Sequence, residues 1–291
     1  MILESKNDRI FKVFTVAIIL IITAACLFPF LYIVSVSFSG KNPVMRGEVF
    51  LWPVGWDLSA YRTVFNNQSL MLAMRFTILL TVVHTIICVI MTVMCAYPLS
   101  KSDLKFKAPI LLLILFTMYF SGGMIPGYLN IKQLGLIDTF WVLTLPGCLS
   151  TYNMILMKSF FQAMPREMEE SAFVDGANDA VVLVKIILPL SKAMLATIAL
   201  FYAVGRWNGF MDALLYINDG DMFTIQLRLR MIIQASQVST LIEDIPEVKN
   251  DVIAETIKAA CLVFSMIPIM IVYPWLQKYF VKGVMIGSVK G

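Results

Sequence analysis

The sequence predicts an all-α integral membrane protein with six transmembrane helices. Of its 291 residues, 59% are hydrophobic and 14% are charged, against roughly 45–50% and about 25% in a soluble domain. Six apolar segments reach the roughly 20 residues that a helix needs to cross the hydrocarbon core. Lysine and arginine gather on alternate connecting segments, the asymmetry that orients membrane proteins. Inside lipid each span must be helical, because no water is there to bond the backbone. The length suits one membrane domain covering residues 1–291.

The first span runs from about 12 to 37. The apolar run around it, Phe11 to Phe38, is too long for a signal-peptide core and has no small-x-small cleavage site, so it is expected to stay as an anchor. The second span, about 70–98, ends at Tyr97-Pro98 before the charged Ser100-Lys101-Ser102-Asp103. The third, about 108–128, runs from Ala108-Pro109 to Tyr128, and the fourth occupies about 139–161. The fifth covers about 188–217 and the sixth about 259–281.

With the N-terminus in the cytoplasm, the inner segments carry Lys6, Arg9 and Lys12, then Lys101, Lys105 and Lys107, then Lys158, Arg166 and Lys185, then Lys278, Lys282 and Lys290. The outer side has Lys41, Arg46 and Arg62, then Lys132, then Arg228, Arg230 and Lys249. The bias places both termini inside. Two outer loops are long: about 39–69, with the aromatic turn Trp52-Pro53-Val54-Gly55-Trp56, and about 218–258. In the latter, Gln226-Leu227-Arg228-Leu229-Arg230 reads as helix and Ile242 to Glu247 as a turn. A loop longer than about 15 residues is usually functional or disordered.

Other chemistry is sparse. The net charge of +4 is spread thinly and suggests no nucleic-acid partner. Cys26, Cys88, Cys95, Cys148 and Cys261 lie in apolar runs and read as packing residues. His84 is the one histidine, mid-way along an apolar helix, and reads as a bundle-facing polar residue. Catalytic zinc takes about three protein ligands, and no cluster supplies them.

The polar segment between spans four and five, about 163–188, carries the clearest signal. Pro165 suits a first helical position, because its missing N–H costs nothing there. Glu167, Glu169 and Glu170 follow where carboxylates favour a helix N-terminus. Met168 and Ala172, four apart, share a face. Asp175-Gly176 breaks the helix, and a second short helix runs into Pro189. Small Ser171 and Ala172 would let a partner approach closely, and Gly176 would permit the bend. On charge alone, a solvated connecting loop explains the segment equally well.

Its spacing resembles the EAA loop in the membrane subunits of ATP-driven (ABC) importers. Glu170-Ser171-Ala172 is followed by three residues, Gly176, nine residues, and Ile186-Ile187-Leu188-Pro189. Ser171 stands where the motif usually has alanine. Asp175-Gly176-Ala177 is similar to the version in carbohydrate importers, as are Gly205-Arg206-Trp207-Asn208-Gly209-Phe210 and the tail from Lys282-Gly283 to Lys290-Gly291. Pro126, Gly135 to Thr139 and Leu145-Pro146-Gly147 resemble the oligosaccharide and polysaccharide branch, relatives of the maltose permease. Ala193 stands where this branch often has proline, and the loop near 236–256 is longer than usual.

The resemblance covers nearly the whole chain and implies the type I ABC importer permease fold. It implies a second homologous permease, two cytosolic ATPase subunits that bind ATP and Mg, an extracytoplasmic sugar-binding protein, a carbohydrate substrate and a bacterial plasma membrane. Glu169, Glu170, Ser171, Ala172, Asp175, Gly176 and Ala177 would couple to one ATPase. The tail from Gly287 to Gly291 would reach the ATPase interface, and the 218–258 loop would reach toward the binding protein's sugar cleft. The chain lacks the Gly-x-x-x-x-Gly-Lys-Ser/Thr phosphate loop, so it is not expected to hydrolyse ATP or to bind a cofactor itself.

Arg206, Asn208 and Asp212 interrupt the apolar fifth span, where ionisable groups are costly and usually face a cavity or each other. They could line a sugar path, with Trp207 or Tyr202 stacking on the ring. Alternatively, Arg206 and Asp212 lie near the outer surface, where Arg206 snorkels. Asn153 and Gln133 are weaker candidates, and Arg75 suits snorkelling. Three rivals remain: an importer for another solute, which Asp-Gly-Ala disfavours; a secondary transporter, which would need its own coupling-ion site; and an intramembrane enzyme, for which no nucleophile–base or carboxylate pair lies in a span.

Overall fold

The computed structural model describes residues 6–241 and 255–288. Their helices are α1 (Lys6–Ser37), α2 (Lys41–Met45), α3 (Ser59–Asn66), α4 (Gln68–Ser100), α5 (Lys107–Tyr119), α6 (Met124–Gln133), α7 (Thr151–Gln162), α8 (Glu167–Val174), α9 (Asp179–Val182), α10 (Leu188–Leu190), α11 (Lys192–Asn208), α12 (Met211–Tyr216), α13 (Ile225–Leu241) and α14 (Glu255–Ser288). Contacts divide the chain into two compact units, Met1–Met71 with Leu229–Ile267 and Leu72–Arg228 with Pro268–Gly291.

In the first unit, the middle of α1 leaves its apolar side chains uncovered on all sides, as suits a helix surrounded by lipid. Serines then manage its exit. Ser35 Oγ donates to Leu51 O (2.6 Å), Ser39 Oγ to Ser35 O (2.6 Å), and Val54 N–H to Ser39 Oγ (3.0 Å). They fold the 39–58 segment back onto the helix end, where Ser39 pairs with Trp56 in an isolated bridge. Asp57 accepts from Ser59 N–H (2.8 Å) and Ser59 Oγ (2.7 Å) at the start of α3. These bonds, the backbone one foremost, hold its carboxyl below the usual aspartate value. Phe65 meets Phe264 edge-on, with ring centres 5.4 Å apart.

The second unit has two apolar cores. Cys88, Tyr97, Met154, Met157, Phe161, Ile198 and Tyr202 centre one, where α4, α7 and α11 meet. Leu80, Ile131, Val142, Leu143, Ala213, Ile217 and Leu227 centre the other. Thr77 Oγ1 accepts from Ile225 N–H (2.8 Å) at a fully buried position, so the first turn of α13 has a backbone donor satisfied by α4.

Several predicted spans are broken. Among the described residues, α4 and long stretches of α1 and α14 are long and apolar enough to cross a membrane alone. Two bent pairs reach that length and hydropathy only together, which makes up to five if each is counted as one span: α5 with α6, bent by 114°, and the Asp179–Leu190 segment with α11, bent by 83°. The third span breaks at Phe120 to Gly123, where Gly123 takes φ +88°. The fourth shrinks to α7, because Leu145-Pro146-Gly147 separates it from a 3-10 turn at Phe140–Leu143. Proline removes a helical N–H and glycine adds backbone freedom, so no continuous helix forms there. The fifth begins after the bend at Ser191 and stops at Asn208 before Gly209. The sixth lies inside the longer α14, which accommodates Pro268 and Pro274. Within the predicted 218–258 loop, Ile225–Leu241 forms the helix α13. The predicted turn at Ile242 to Glu247 lies outside the described residues, as does the tail beyond Ser288.

Candidate functional site

The 163–188 segment forms two short helical pieces joined by a tight reversal. Pro165 does not open α8; Arg166 caps it and accepts from Glu170 N–H (3.0 Å), leaving Pro165 just outside. The C-terminus is a Schellman closure. Ala177 N–H donates to Ala172 O (2.9 Å) and Gly176 N–H to Phe173 O (3.0 Å), with Gly176 at φ +81°. Asn178 then caps α9 through its side-chain oxygen, which accepts from Val181 N–H at 2.9 Å. A π turn at Leu183–Ile187 and α10 carry the chain through Pro189.

The predicted coupling residues separate by direction. Ala172 and Ala177 rest against the apolar core. Glu170, Ser171, Asp175 and Gly176 are exposed, with Met168, Phe173 and Val174, the last at 87%. Met168, Phe173 and Val174 are thus apolar side chains left uncovered on this short helix. Glu169 turns inward and pairs with Lys101. Burial pulls the Lys101 ammonium down, while the bond to Glu169 and the neighbouring Tyr97 push it up; the net direction is up. Behind this pair lies a cavity of about 820 Å³, lined by Tyr97, Lys101, Lys107, Arg166, Glu169, Glu170, Phe173 and Asp179 among others. Lys101 escaped the sequence reading because it is 68 positions from Glu169.

The candidates of the fifth span also divide. Arg206 is 7% exposed, its guanidinium held by groups of the protein. Its Nη1 donates to Leu143 O (2.8 Å) and to Asp212 Oδ2, while Nη2 reaches Asp212 Oδ1 (2.9 Å). This two-pronged pair holds the chain across the break at Gly209. Asn208 is exposed, its side chain donating to Val204 O at 3.0 Å. Tyr202 and Trp207 are buried, so neither offers a ring face for stacking. The Tyr202 hydroxyl shares a bond with Thr92 Oγ1 (2.7 Å) and accepts from Ser150 N–H (2.9 Å). Trp207 instead lines a separate apolar groove of about 300 Å³ with Ile78, Val82, Ile86, Pro268 and Val272.

Arg206, Asn208 and Asp212 border an open cavity of about 580 Å³ with Gly147, Gly205, Tyr216 and His84. His84 was not among the predicted site residues. It is 7% exposed, its Nε2 lies 3.3 Å from Cys88 Sγ, and Nδ1 has no hydrogen-bond partner among the described residues. A lone histidine in an apolar helix was the available signal. Gly147 and Gly205 have open space above their Cα atoms, with nothing within 4 Å of an added Cβ. Asn153 is buried, whereas Gln133 and Arg75 are exposed and outside the cavity lining.

Comparison with known proteins agrees with this architecture. Residues 58–286 match the family described as "Binding-protein-dependent transport system inner membrane component". The chain is 42% identical to Protein LplC of Bacillus subtilis (strain 168), over 99% of this chain and 97% of that protein. It is 40% identical to the polygalacturonan/rhamnogalacturonan transport system permease protein YtcP of the same organism, over 98% and 100%. Among solved structures it is similar to a chain of a bacterial ABC transporter involved in the import of the acidic polysaccharide alginate. The TM-score there is 0.86 with 35% identity, over 96% of this chain and 100% of that one.

Proposed function

Because the chain belongs to the family of inner-membrane components of binding-protein-dependent transport systems, we propose that it is one of two related permeases in an ATP-driven importer of oligosaccharides or polysaccharide fragments. The single observation that carries this is α8 with its closing turn, which seats Ala172 and Ala177 against the apolar core and leaves Glu170, Ser171 and Val174 exposed. The seven residues Glu169 to Ala172 and Asp175 to Ala177 form or support the docking element for one of two cytosolic ATPases. ATP and Mg would bind on those subunits. The cavity at His84, Arg206, Asn208 and Asp212 is this chain's share of the sugar path, and both termini lie in the cytoplasm. Tyr202 and Trp207 support that path from within the packing. The names of the relatives support a carbohydrate substrate.

The test is uptake by the host strain with and without this chain. The panel would hold labelled oligogalacturonides, rhamnogalacturonan fragments, alginate oligosaccharides, arabino-oligosaccharides and malto-oligosaccharides. Loss of uptake of at least one of them on deletion is expected. A deletion strain that takes up all five normally contradicts the substrate class.

A further inference from the structure

Lys101 follows directly on the last residue of α4, and its ammonium is enclosed by three groups. It donates to Glu169 of α8, lies 4.4 Å from the centre of the Tyr97 ring on α4, and lies 5.9 Å from the ring of Phe173, one turn beyond Glu169. The Lys101 and Glu169 side chains are only 21% and 20% exposed. The end of α4 is stitched further. Lys107 Nζ donates to Lys101 O (2.6 Å), and Gln162 Nε2 donates to Ser100 O (3.3 Å). Carbonyls that a helix end normally leaves open are thus filled from α5 and α7.

We infer that Lys101 is a positioning residue that ties the coupling helix α8 to α4, so that a displacement of α8 is handed to the helix bearing His84 and Thr92. This rests on α8 being the ATPase-docking element proposed above. The adjacent carboxylates then play different parts, Glu170 being exposed while Glu169 grips the membrane unit. An exposed ion pair would transmit little. This one is held between two rings and joins elements far apart along the chain. Above it, α4 is one helix from Gln68 to Ser100, with Pro98 in its last turn, so a push at its cytoplasmic end reaches the turn of His84 through continuous helix rather than a loop.

The test uses the complete complex, purified through this chain from its host and reconstituted in liposomes. Lys101→Met keeps the aliphatic stem over Tyr97 and removes the charge. The ATPase is expected to co-purify at the wild-type level and to keep its basal hydrolysis. Sugar accumulated per ATP, measured with whichever panel sugar the wild type takes up, is expected to fall about fivefold or more. Lys101→Glu should fall at least as far, and the reversed pair Lys101→Glu with Glu169→Lys should recover most of the ratio.

A sugar-free readout runs in parallel. Gly205→Cys in the cavity is labelled with an impermeant maleimide, and the labelled site is quantified by mass spectrometry with and without ATP and vanadate. The labelling change seen when Lys101 is intact should vanish when Lys101→Met is added to Gly205→Cys. Unchanged sugar per ATP, or an unchanged labelling response, overturns the inference. Loss of the ATPase from Lys101→Met also overturns it, by making Lys101 part of the docking surface. If the wild type accumulates no panel sugar, the substrate class fails, and the labelling response alone decides for or against the tie.

Discussion

Arg206 and Asp212 meet across the break that ends α11, and together they explain why an apolar helix can carry a guanidinium. Removing one partner of a buried pair costs about 3–5 kcal/mol. The Asp212 side chain is 32% exposed, however, so water screens part of the effect. Asp212→Ala is expected to destabilise the protein by about 2 kcal/mol, read as a lower unfolding temperature in detergent; no shift contradicts the structural role. Lys101 carries a pH expectation. Its folded value is raised, so its contribution is complete below the ordinary lysine value of 10.5. That contribution is lost only as pH rises through the higher folded value. Sugar moved per ATP should therefore lose nothing through Lys101 at neutral or mildly alkaline pH. A decline there in wild type that is absent from Lys101→Met would contradict this. His84→Leu is expected to lower uptake severalfold while the complex still assembles, because His84 borders the cavity beside Arg206 and Asp212; unchanged uptake would remove His84 from the path.

At the scale of elements, the turn after α8 depends on one backbone conformation. Gly176 has open space where a Cβ would stand, so a substitution there meets strain rather than collision. The left-handed conformation costs other residues roughly 1–2 kcal/mol, and asparagine tolerates it better than most. Retention of the ATPase is expected to fall in the order Gly176, Gly176→Asn, Gly176→Ala, Gly176→Val in a pull-down; equal retention across the series contradicts a role for this turn. Much of the element was legible, because Glu167 to Val174 followed by Asp175-Gly176 is a local pattern with local causes. Its start was misplaced, since Pro165 suits a first helical position but Arg166 supplies the cap. The inward turn of Glu169 was not legible, because it depends on Lys101 from a distant segment. Broken spans were hidden for a related reason. Hydropathy sums over Phe120 to Gly123 and over Leu145-Pro146-Gly147 without registering that these residues bend the chain, and Tyr202 and Trp207 looked available until packing buried them.

At the scale of the molecule, composition and the run of apolar segments pointed to the all-helical membrane class, and the spacing from Glu170 to Pro189 pointed to the family. The central claim is that this chain is a permease driven through α8. Its most direct test is co-purification with its ATPase, comparing wild type with Glu170→Lys and Gly176→Val. Retention by wild type and loss from both variants, with the second permease still bound, is the outcome expected. A chain that purifies without any ATPase, and still moves solute in liposomes, would contradict the claim.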